Sequence, residues 1–187
     1  MDTLATAVRM LRPGYYCASI DSADAYYSVS IDKTFRKYLR FVYEGQLYQF
    51  TCIPNGLSPG PRAFTKLLKS PLAYLRQQFG MNIIAYLEDL IIMGKTPLEV
   101  AEAVKQTLWL MTDLGFKVSV SKSTLIPSQE IEFLGFRLDT ISITVHMLEN
   151  KATKLISLCE EIWRDKELTI RKLAKLLGGM TASLPAE

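Results

Sequence analysis

Four acidic residues of this 187-residue chain stand where carboxylates are costly. Asp21 and Asp24 follow a short apolar stretch, and Glu88 and Asp89 lie at the tip of a very apolar pair of segments. A carboxylate in such surroundings is expensive to desolvate unless it has a cation as partner. Turns favour Asp, so a solvated turn explains either site alone. The two sites together fit a divalent-cation pocket better.

Carboxylates of this kind suit a particular chemistry. Two Mg²⁺ ions about 3.5–4 Å apart support in-line displacement at phosphorus. Mg²⁺ keeps several waters and takes few protein ligands, so three carboxylates suffice, and Mn²⁺ is a possible substitute. The single histidine and the three widely spaced cysteines offer neither a zinc site nor a disulfide framework. The residues alone therefore predict two-metal nucleotidyl chemistry.

The net charge of +3 is unevenly distributed along the chain. Through Leu87 there are ten basic and five acidic residues, and from Glu88 onward twelve basic and fourteen acidic. Such an asymmetry is weak evidence for a polyanionic partner. The longest apolar runs are far below the roughly 20 residues of a membrane span, and the N-terminus lacks a signal pattern. We therefore expect an intracellular protein, cytoplasmic or nuclear, that is neither secreted nor bound to a membrane.

The elements that must position these residues alternate in type. Spacing of apolar residues predicts helices over 4–11, 59–78 and 98–111, and two more in the tail, the last closed by Gly178 and Gly179. Strands are predicted over 15–20, 37–42, 47–53, 82–86, 90–93, 117–120, 132–138 and 141–145. Helices packed against an antiparallel sheet make this an α+β domain.

The long helix over 59–78 has two different faces. Its apolar face is predicted to hold Phe64, Leu67, Leu68, Pro71 and Leu75. Its other face holds Arg62, Lys66, Lys69 and Arg76, and no acidic residue occurs between Gly45 and Leu87. A solvated helix face is the ordinary interpretation of such a stripe. The missing acidic residues favour phosphate contact instead.

Five segments in order resemble reverse transcriptase motifs. IDSADAYY at 20–27 resembles motif A, IPNGLSP at 53–59 motif B, and YLED at 86–89 the motif C box, usually Tyr-x-Asp-Asp. LGFK at 114–117, running to Lys122, resembles motif D, and FLGF at 133–136 motif E. Any one motif is weak, whereas the ordered set is specific. The chain is most similar to retrotransposon enzymes, the DIRS-like group first and long-terminal-repeat elements next.

The resemblance implies a fold and a division of the chain. Residues 1–145 are expected to form the palm with part of the fingers, whose hairpin covers about 33–53. Residues 146–187 are expected to form a helical extension that resembles the start of a thumb. Only 20 residues precede Asp21, so we expect the upstream fingers segment with its triphosphate contacts to be missing, and no RNase H segment to follow.

The resemblance also implies catalytic roles. Asp21, Glu88 and Asp89 would ligate two Mg²⁺ ions, with the Ser22 carbonyl beside them. Lys122 would be a general acid toward the leaving pyrophosphate; the alternative is a surface lysine.

Other residues would contact the substrates. Those around the incoming dNTP would be Ser22, Ala23, Tyr26, Asn55 and Gly56, with Tyr26 as a steric gate against a ribonucleotide 2′-OH. Those near an RNA or DNA template with its primer would be Tyr86, Phe133, Leu134, Gly135, Phe136, Arg62, Lys66 and Lys69. A packed aromatic and a core hairpin are the alternatives for Tyr26 and for 133–136.

The main departure from the family pattern is Glu88, where Asp is usual. One extra methylene moves the carboxylate, and a displacement of about 1 Å at a reacting centre can cost about 10²-fold in rate. Two hypotheses follow. The chain is the core of an RNA-directed DNA polymerase with weakened activity, or it is a degenerate or domesticated fold that binds nucleic acid or protein without catalysis.

Overall fold

The computed structural model describes residues 3–165 and 168–185 and has the predicted α+β architecture. The helices are α1 Leu4–Met10, α2 Gly60–Phe79, α3 Pro97–Asp113, α4 Glu149–Arg164 and α5 Ile170–Ser183. The strands are β1 Tyr16–Ala23, β2 Arg40–Tyr43, β3 Gln46–Gln49, β4 Asn82–Tyr86, β5 Asp89–Gly94, β6 Lys117–Val118, β7 Thr124–Ser128, β8 Glu130–Phe133, β9 Phe136–Asp139 and β10 Thr144–Met147.

The central sheet has the order β4-β5-β1-β6, with β7 also paired to β1. Strand β1 is antiparallel to β5, β6 and β7, so it is an inner strand, and its residues are either buried or half-buried. Strands β4 and β5 are buried at most positions on both faces, which explains their unbroken apolar sequences. Both faces of the central sheet are thus covered by other elements.

Each face of the sheet has its own apolar core. Helices α2 and α3 cover the face that carries Ala18, Ile20 and Ile92. Helix α1 and the three-stranded sheet β10-β9-β8 cover the face that carries Cys17 and Ile91. Because side chains alternate along a strand, neighbouring residues of β1 contribute to different cores.

Helix α2 buries Phe64, Leu68, Leu72 and Leu75 together with Pro71. The prediction of Leu67 on the apolar face is wrong: Leu67 is 44% exposed, and Leu72 takes its place in the core. Pro71 lies inside the helix, as predicted.

Four other expectations about elements need correction. Strand β1 continues past Ile20, so Asp21 lies within the strand instead of after it. The predicted strand over 132–138 is two strands, β8 and β9, joined by a turn, and β7 was not predicted. Gly178 and Gly179 lie inside α5, which runs on to Ser183. A Cβ at Gly179 would lie 3.0 Å from Leu155 Cδ1, so this glycine allows α5 to approach α4.

The hairpin β2–β3 corresponds to the predicted fingers hairpin. Glu44 and Gly45 form its turn, both with positive φ, as a two-residue turn of type I′ requires. Every residue of the two strands is exposed, and Phe41 stacks on Tyr48 with ring centroids 5.6 Å apart. The hairpin joins the body through the Ser30–Cys52 bridge.

The tail forms the two expected helices, α4 and α5. They pack on each other, and neither has a fully buried residue among those described. Trp163 of α4 is 91% exposed. Within the described ranges, no helix combines the length and the apolar character that crossing a bilayer requires.

Candidate active site

Asp21 and Asp89 form a directly opposed pair on neighbouring strands. Asp21 of β1 is in register with Asp89 of β5, which in turn is in register with Tyr86 of β4. Opposed residues of an antiparallel pair point to the same face, with Cβ atoms about 4.5–5.5 Å apart. Two carboxylates and a phenol therefore line one row across the sheet.

Glu88 lies in the two-residue turn that joins β4 to β5. Its carbonyl accepts a hydrogen bond of 2.9 Å from the Ser22 N–H, which ties the turn to β1 beside Asp21. The other turn residue, Leu87, has φ 53°, a strained conformation for a branched side chain. The turn thus holds Glu88 near the carboxylate pair.

The acidic side chains influence one another. Burial raises the pKa of Asp89 above its usual value, and the charges of Asp21 and Glu88 raise this pKa further, while Lys122 lowers it. Over the described ranges, no group of three or more His, Cys, Asp and Glu side chains is arranged to hold a metal ion. The three-carboxylate ligand set therefore stays a prediction, with Asp21 and Asp89 as its paired members.

Lys122 ends a short 3₁₀ turn, Val120–Lys122, that lies against β1. The Ser119 N–H donates to the Asp21 carbonyl at 2.9 Å, and the Asp21 N–H donates to Ser123 Oγ at 3.0 Å. The fold therefore brings the predicted lysine to the carboxylate pair. Ser123 was missed by the sequence reasoning, because a serine after a lysine carries no signal of its own.

Tyr26 lies at the border of the site and of the helix-side core. Its ring packs edge-on against Phe64 with centroids 6.1 Å apart. Burial raises the pKa of the Tyr26 phenol, and the nearby charges of Glu88 and Tyr86 raise it further. A Cβ at Gly60 would lie 3.6 Å from the Tyr26 ring, so the start of α2 packs against the ring. Tyr26 is both a packed aromatic and a neighbour of Glu88.

Asn55 and Gly56 form an exposed turn before α2. The Leu57 N–H donates to the Pro54 carbonyl at 3.3 Å, and Gly56 has φ 87°, as position three of a type II turn requires. A Cβ at Gly56 would meet open space. The backbone of Gly56 is thus exposed, with open space around it, at the start of the helix.

The remaining motif A residues, Ser22 to Asp24, are held by the sheet edge. Ser22 and Ala23 are in register with Val118 and Lys117, and Asp24 forms an exposed ion pair of 3.7 Å with Lys117. Ser22 is buried, and its hydroxyl has no hydrogen-bond partner among the described residues. Its side chain is therefore an unsatisfied buried group.

The basic stripe of α2 lines a groove of about 630 Å³ that ends at the β4–β5 turn. Arg62, Lys66 and Lys69 face it, with Leu87 at its end. Arg76 differs from the other three, because its guanidinium donates to the Ile83 carbonyl of β4 at 3.0 and 2.7 Å. The groove is thus cationic, and Arg76 also secures the helix to the sheet.

The motif E residues form the β8–β9 hairpin. Phe133 and Phe136 are buried core residues, and Leu134 and Gly135, both with positive φ, make the turn between them. Lys151 of α4 donates to the Leu134 carbonyl at 3.4 Å and lies over the Phe136 ring. Of these four residues the two of the turn are half-buried, so the predicted contact with a primer falls on the turn.

Known proteins with similar sequences include viral polyproteins and a further viral protein. The Gag-Pro-Pol polyprotein of human T-cell leukemia virus 2 is 28% identical over 125 residues, which are 63% of this chain and 8% of the polyprotein. Protein P of duck hepatitis B virus is 24% identical over 174 residues, 91% of this chain and 20% of that protein. The chain thus spans a small part of either relative. The narrower resemblance to DIRS-like elements stays a prediction.

Solved structures share the fold. The foamy viral protease-reverse transcriptase in complex with double-stranded DNA gives a TM-score of 0.78 at 21% identity, over 98% of this chain and 30% of that one. The same enzyme with an RNA/DNA hybrid gives 0.73 at 21% identity, over 92% and 22%. The family model for reverse transcriptase (RNA-dependent DNA polymerase) matches residues 3–138. With five motifs in order on this fold, the chain belongs to the reverse transcriptase family.

Proposed function

We propose that this chain is the palm core of an RNA-directed DNA polymerase, which joins the 3′-OH of a primer to the α-phosphate of a dNTP. The observation that carries the proposal is the directly opposed pair Asp21 and Asp89, with Lys122 close enough to lower the pKa of Asp89. Two oxygen ligands beside a cationic acid are what nucleotidyl transfer requires of a protein.

The donor set fits Mg²⁺. This ion is usually held by one or two carboxylates together with waters and substrate phosphates, so a full protein cage is unnecessary. Asp21 and Asp89 would hold it, with Glu88 and the Ser22 carbonyl as further oxygen donors. When bound, two such ions activate the attacking hydroxyl and neutralise charge on the leaving group. Burial first, and then the charges of Asp21 and Glu88, raise the pKa of Asp89, and this cost of charging the carboxyl group supports a cation partner.

The other site residues have roles that follow from their places. Lys122 would give a proton to the leaving pyrophosphate. Tyr26, supported by Phe64 and Gly60, would limit the room beneath the sugar. The turn at Asn55 and Gly56 would let backbone approach the nucleotide, since Gly56 presents no side chain.

The nucleic-acid partner is proposed from the basic groove. Arg62, Lys66 and Lys69 line it, and no acidic residue is among the described residues that form its wall, which suits phosphate contact. The foamy viral enzyme with the same fold was solved with double-stranded DNA and with an RNA/DNA hybrid. A primer-template duplex is the matching substrate for this chain, with the β8–β9 turn toward the primer.

Primer extension on a homopolymer template tests the proposal. We expect extension that requires Mg²⁺ or Mn²⁺ and that falls by at least about 10²-fold in Asp21→Asn or Asp89→Asn, as for loss of a preorganised transition-state group. Asp113→Asn, at the end of α3, is the matched control and should extend like the wild type. Equal extension by all three variants would refute the catalytic pair.

The second candidate is a degenerate fold that binds nucleic acid without catalysis. Glu88 favours it, because the family pattern has Asp at this turn. It predicts salt-sensitive binding of a primer-template duplex and no extension with any metal. Glu88→Asp separates the two candidates. Extension by the variant alone supports degeneration of a polymerase, and equal extension by wild type and variant excludes it.

A further inference from the structure

We propose that Ser123 is a positioning residue that couples Asp21 to the turn carrying Lys122. The inference rests on the proposed function, in which Asp21 is a metal ligand and Lys122 a proton donor. In this proposal Ser123 acts through the backbone of its neighbours, because its hydroxyl contacts the Asp21 N–H and the Ser119 carbonyl.

The hydrogen bonds around Ser123 form a closed ring. The Asp21 N–H donates to Ser123 Oγ at 3.0 Å, and the Ser123 hydroxyl donates to the Ser119 carbonyl at 2.6 Å. The Ser119 N–H then donates to the Asp21 carbonyl at 2.9 Å. Both backbone groups of Asp21 are therefore bound by the same five-residue segment, and Lys122 lies inside that segment.

The Ser123 side chain takes no part in the backbone pairing of the strands. Strand β1 is paired with β7 at Cys17 and Ser19, and with β6 at Ser22 and Ala23. The register shifts between Cys17 and Ser19, and neither β6 nor β7 is in register with Asp21. Ser123 thus supplies, from its side chain, the acceptor that a strand neighbour would otherwise provide.

A fixed Asp21 backbone matters because the carboxylate must stay opposite Asp89 to within a fraction of an ångström. The same ring fixes the turn that carries Lys122, so one hydroxyl sets the distance between the metal ligand and the proton donor. A misplacement of about 1 Å in such a site costs about 10²-fold in rate. Ser123 is half-buried, so water replaces its hydroxyl poorly.

Single-nucleotide incorporation tests the inference with three substitutions. Ser123→Ala removes the ring. Ser123→Thr keeps the hydroxyl, and φ −91° with ψ 144° at Ser123 accommodates a β-branched residue. Ser121→Ala is the matched control, since Ser121 lies in the same turn and its hydroxyl forms a long contact of 3.5 Å with that of Ser119 and none with Asp21.

We expect Ser123→Ala to lower kcat roughly 10- to 100-fold with little change in the KM for dNTP. Ser123→Thr should restore most of the rate, and Ser121→Ala should behave like the wild type. Lys122→Ala should cost much less in the Ser123→Ala background than in the wild type, because the two residues act as one unit. A merely structural serine would give additive losses.

Amide hydrogen exchange gives a readout that does not depend on activity. The Asp21 amide should exchange at least about tenfold faster in Ser123→Ala than in the wild type, while the amides of α3 keep their rates. If the wild-type chain extends no primer, the proposed function fails. The exchange rate of the Asp21 amide then tests the hydrogen-bond ring by itself. An unchanged Asp21 rate, or a kcat in Ser123→Ala within about twofold of wild type, overturns the inference.

Discussion

At the scale of single residues, the acidic pair that the proposed chemistry needs lowers the stability of the folded state. Asp21 and Asp89 are held face to face by the register of β1 and β5, and burial adds to the cost of charging Asp89. A carboxylate whose pKa is raised by folding lowers the stability of the folded state at neutral pH. Selection for stability alone would not keep two acids in this row.

Asp89→Asn should therefore stabilise the protein while it abolishes extension. The amide keeps the shape of the side chain and removes its charge, so we expect a gain of about 0.5–2 kcal/mol in the free energy of unfolding. Thermal unfolding measures it. Saturating Mg²⁺ should raise the Tm of the wild type by mass action and leave that of the variant nearly unchanged. A lower Tm for the variant without metal would contradict this account.

The sequence pointed to acidic and basic residues that the fold brings together, because their chemistry is visible in their type, whereas their catalytic roles stay predictions. Asp21, Asp89 and Lys122 fall in family motifs, and the fold gathers them. It did not allow prediction of Ser123, because the value of that hydroxyl arises only when residues 119–123 return to β1. Nor does residue type indicate that the Ser22 hydroxyl lacks a partner among the described residues.

At the scale of elements, the β8–β9 turn packs closely against a side chain of α4. A Cβ at Gly135 would collide with the Lys151 side chain, which lies over the turn and donates to the Leu134 carbonyl. The Gly135 backbone also has φ 78°. Two separate costs, backbone strain and a steric clash, should therefore follow from any side chain at this position.

Gly135→Ala should separate these costs in a double-mutant cycle with Lys151→Ala. Strain alone costs about 1–2 kcal/mol, and the clash adds to it only while Lys151 is present. Urea unfolding measures both backgrounds. Gly80→Ala is the control for strain, because Gly80 has φ 63° and open space around its Cβ position. Equal costs of Gly135→Ala in the two backgrounds would show that Lys151 does not lie over the turn in solution.

Because of the β9–β10 turn, the free energy of unfolding should fall as the pH becomes acidic. Hydrogen bonds from the Ser142 hydroxyl and from the N–H groups of Ile141 and Ser142 lower the pKa of Asp139 from 3.8. A lowered pKa stabilises the fold above the unfolded value, and this contribution is lost as pH falls through the folded value. Asp139→Asn should therefore have a flatter stability curve than the wild type below pH 3.8. Unfolding by urea across acid pH measures it; parallel curves would contradict the prediction.

Elements with strong apolar periodicity were predictable, and those set by tertiary pairing were not. Helices α2 and α3 and strands β4 and β5 lie close to their predicted positions. Strand β7 escaped prediction because it contains Pro127 and is stabilised by pairing with β1. The end of α5 was misplaced because Gly178 and Gly179 usually end helices, whereas here Gly179 permits close packing on α4.

At the scale of the whole molecule, the distribution of charge is more informative than its sum. The chain carries +3 in total, yet Arg62, Lys66 and Lys69 line one groove whose described lining residues include no acid. By contrast, Lys105 of α3 pairs with Glu102 at 3.8 Å. The two helices therefore present surfaces of different character, although both are exposed and amphipathic.

Binding of a primer-template duplex should depend on salt through the α2 groove. Replacing Lys66 and Lys69 by Gln should reduce the slope of log K against log[salt] by about 0.9 for each phosphate that is no longer neutralised. Fluorescence anisotropy across a salt series measures the slope. Lys105→Gln is the matched control on α3 and should leave it unchanged. An identical slope in the double variant would place the duplex elsewhere on the molecule.

The contact between Arg76 and β4 has a consequence for solubility. Strand β4 lies at the edge of the central sheet, and an open apolar edge is a template on which another chain can add a strand. The Arg76 guanidinium occupies the Ile83 carbonyl and places a positive charge along this edge. We therefore expect Arg76 to oppose strand addition at this edge of the sheet, a role separate from the proposed binding of a polyanion by the basic stripe.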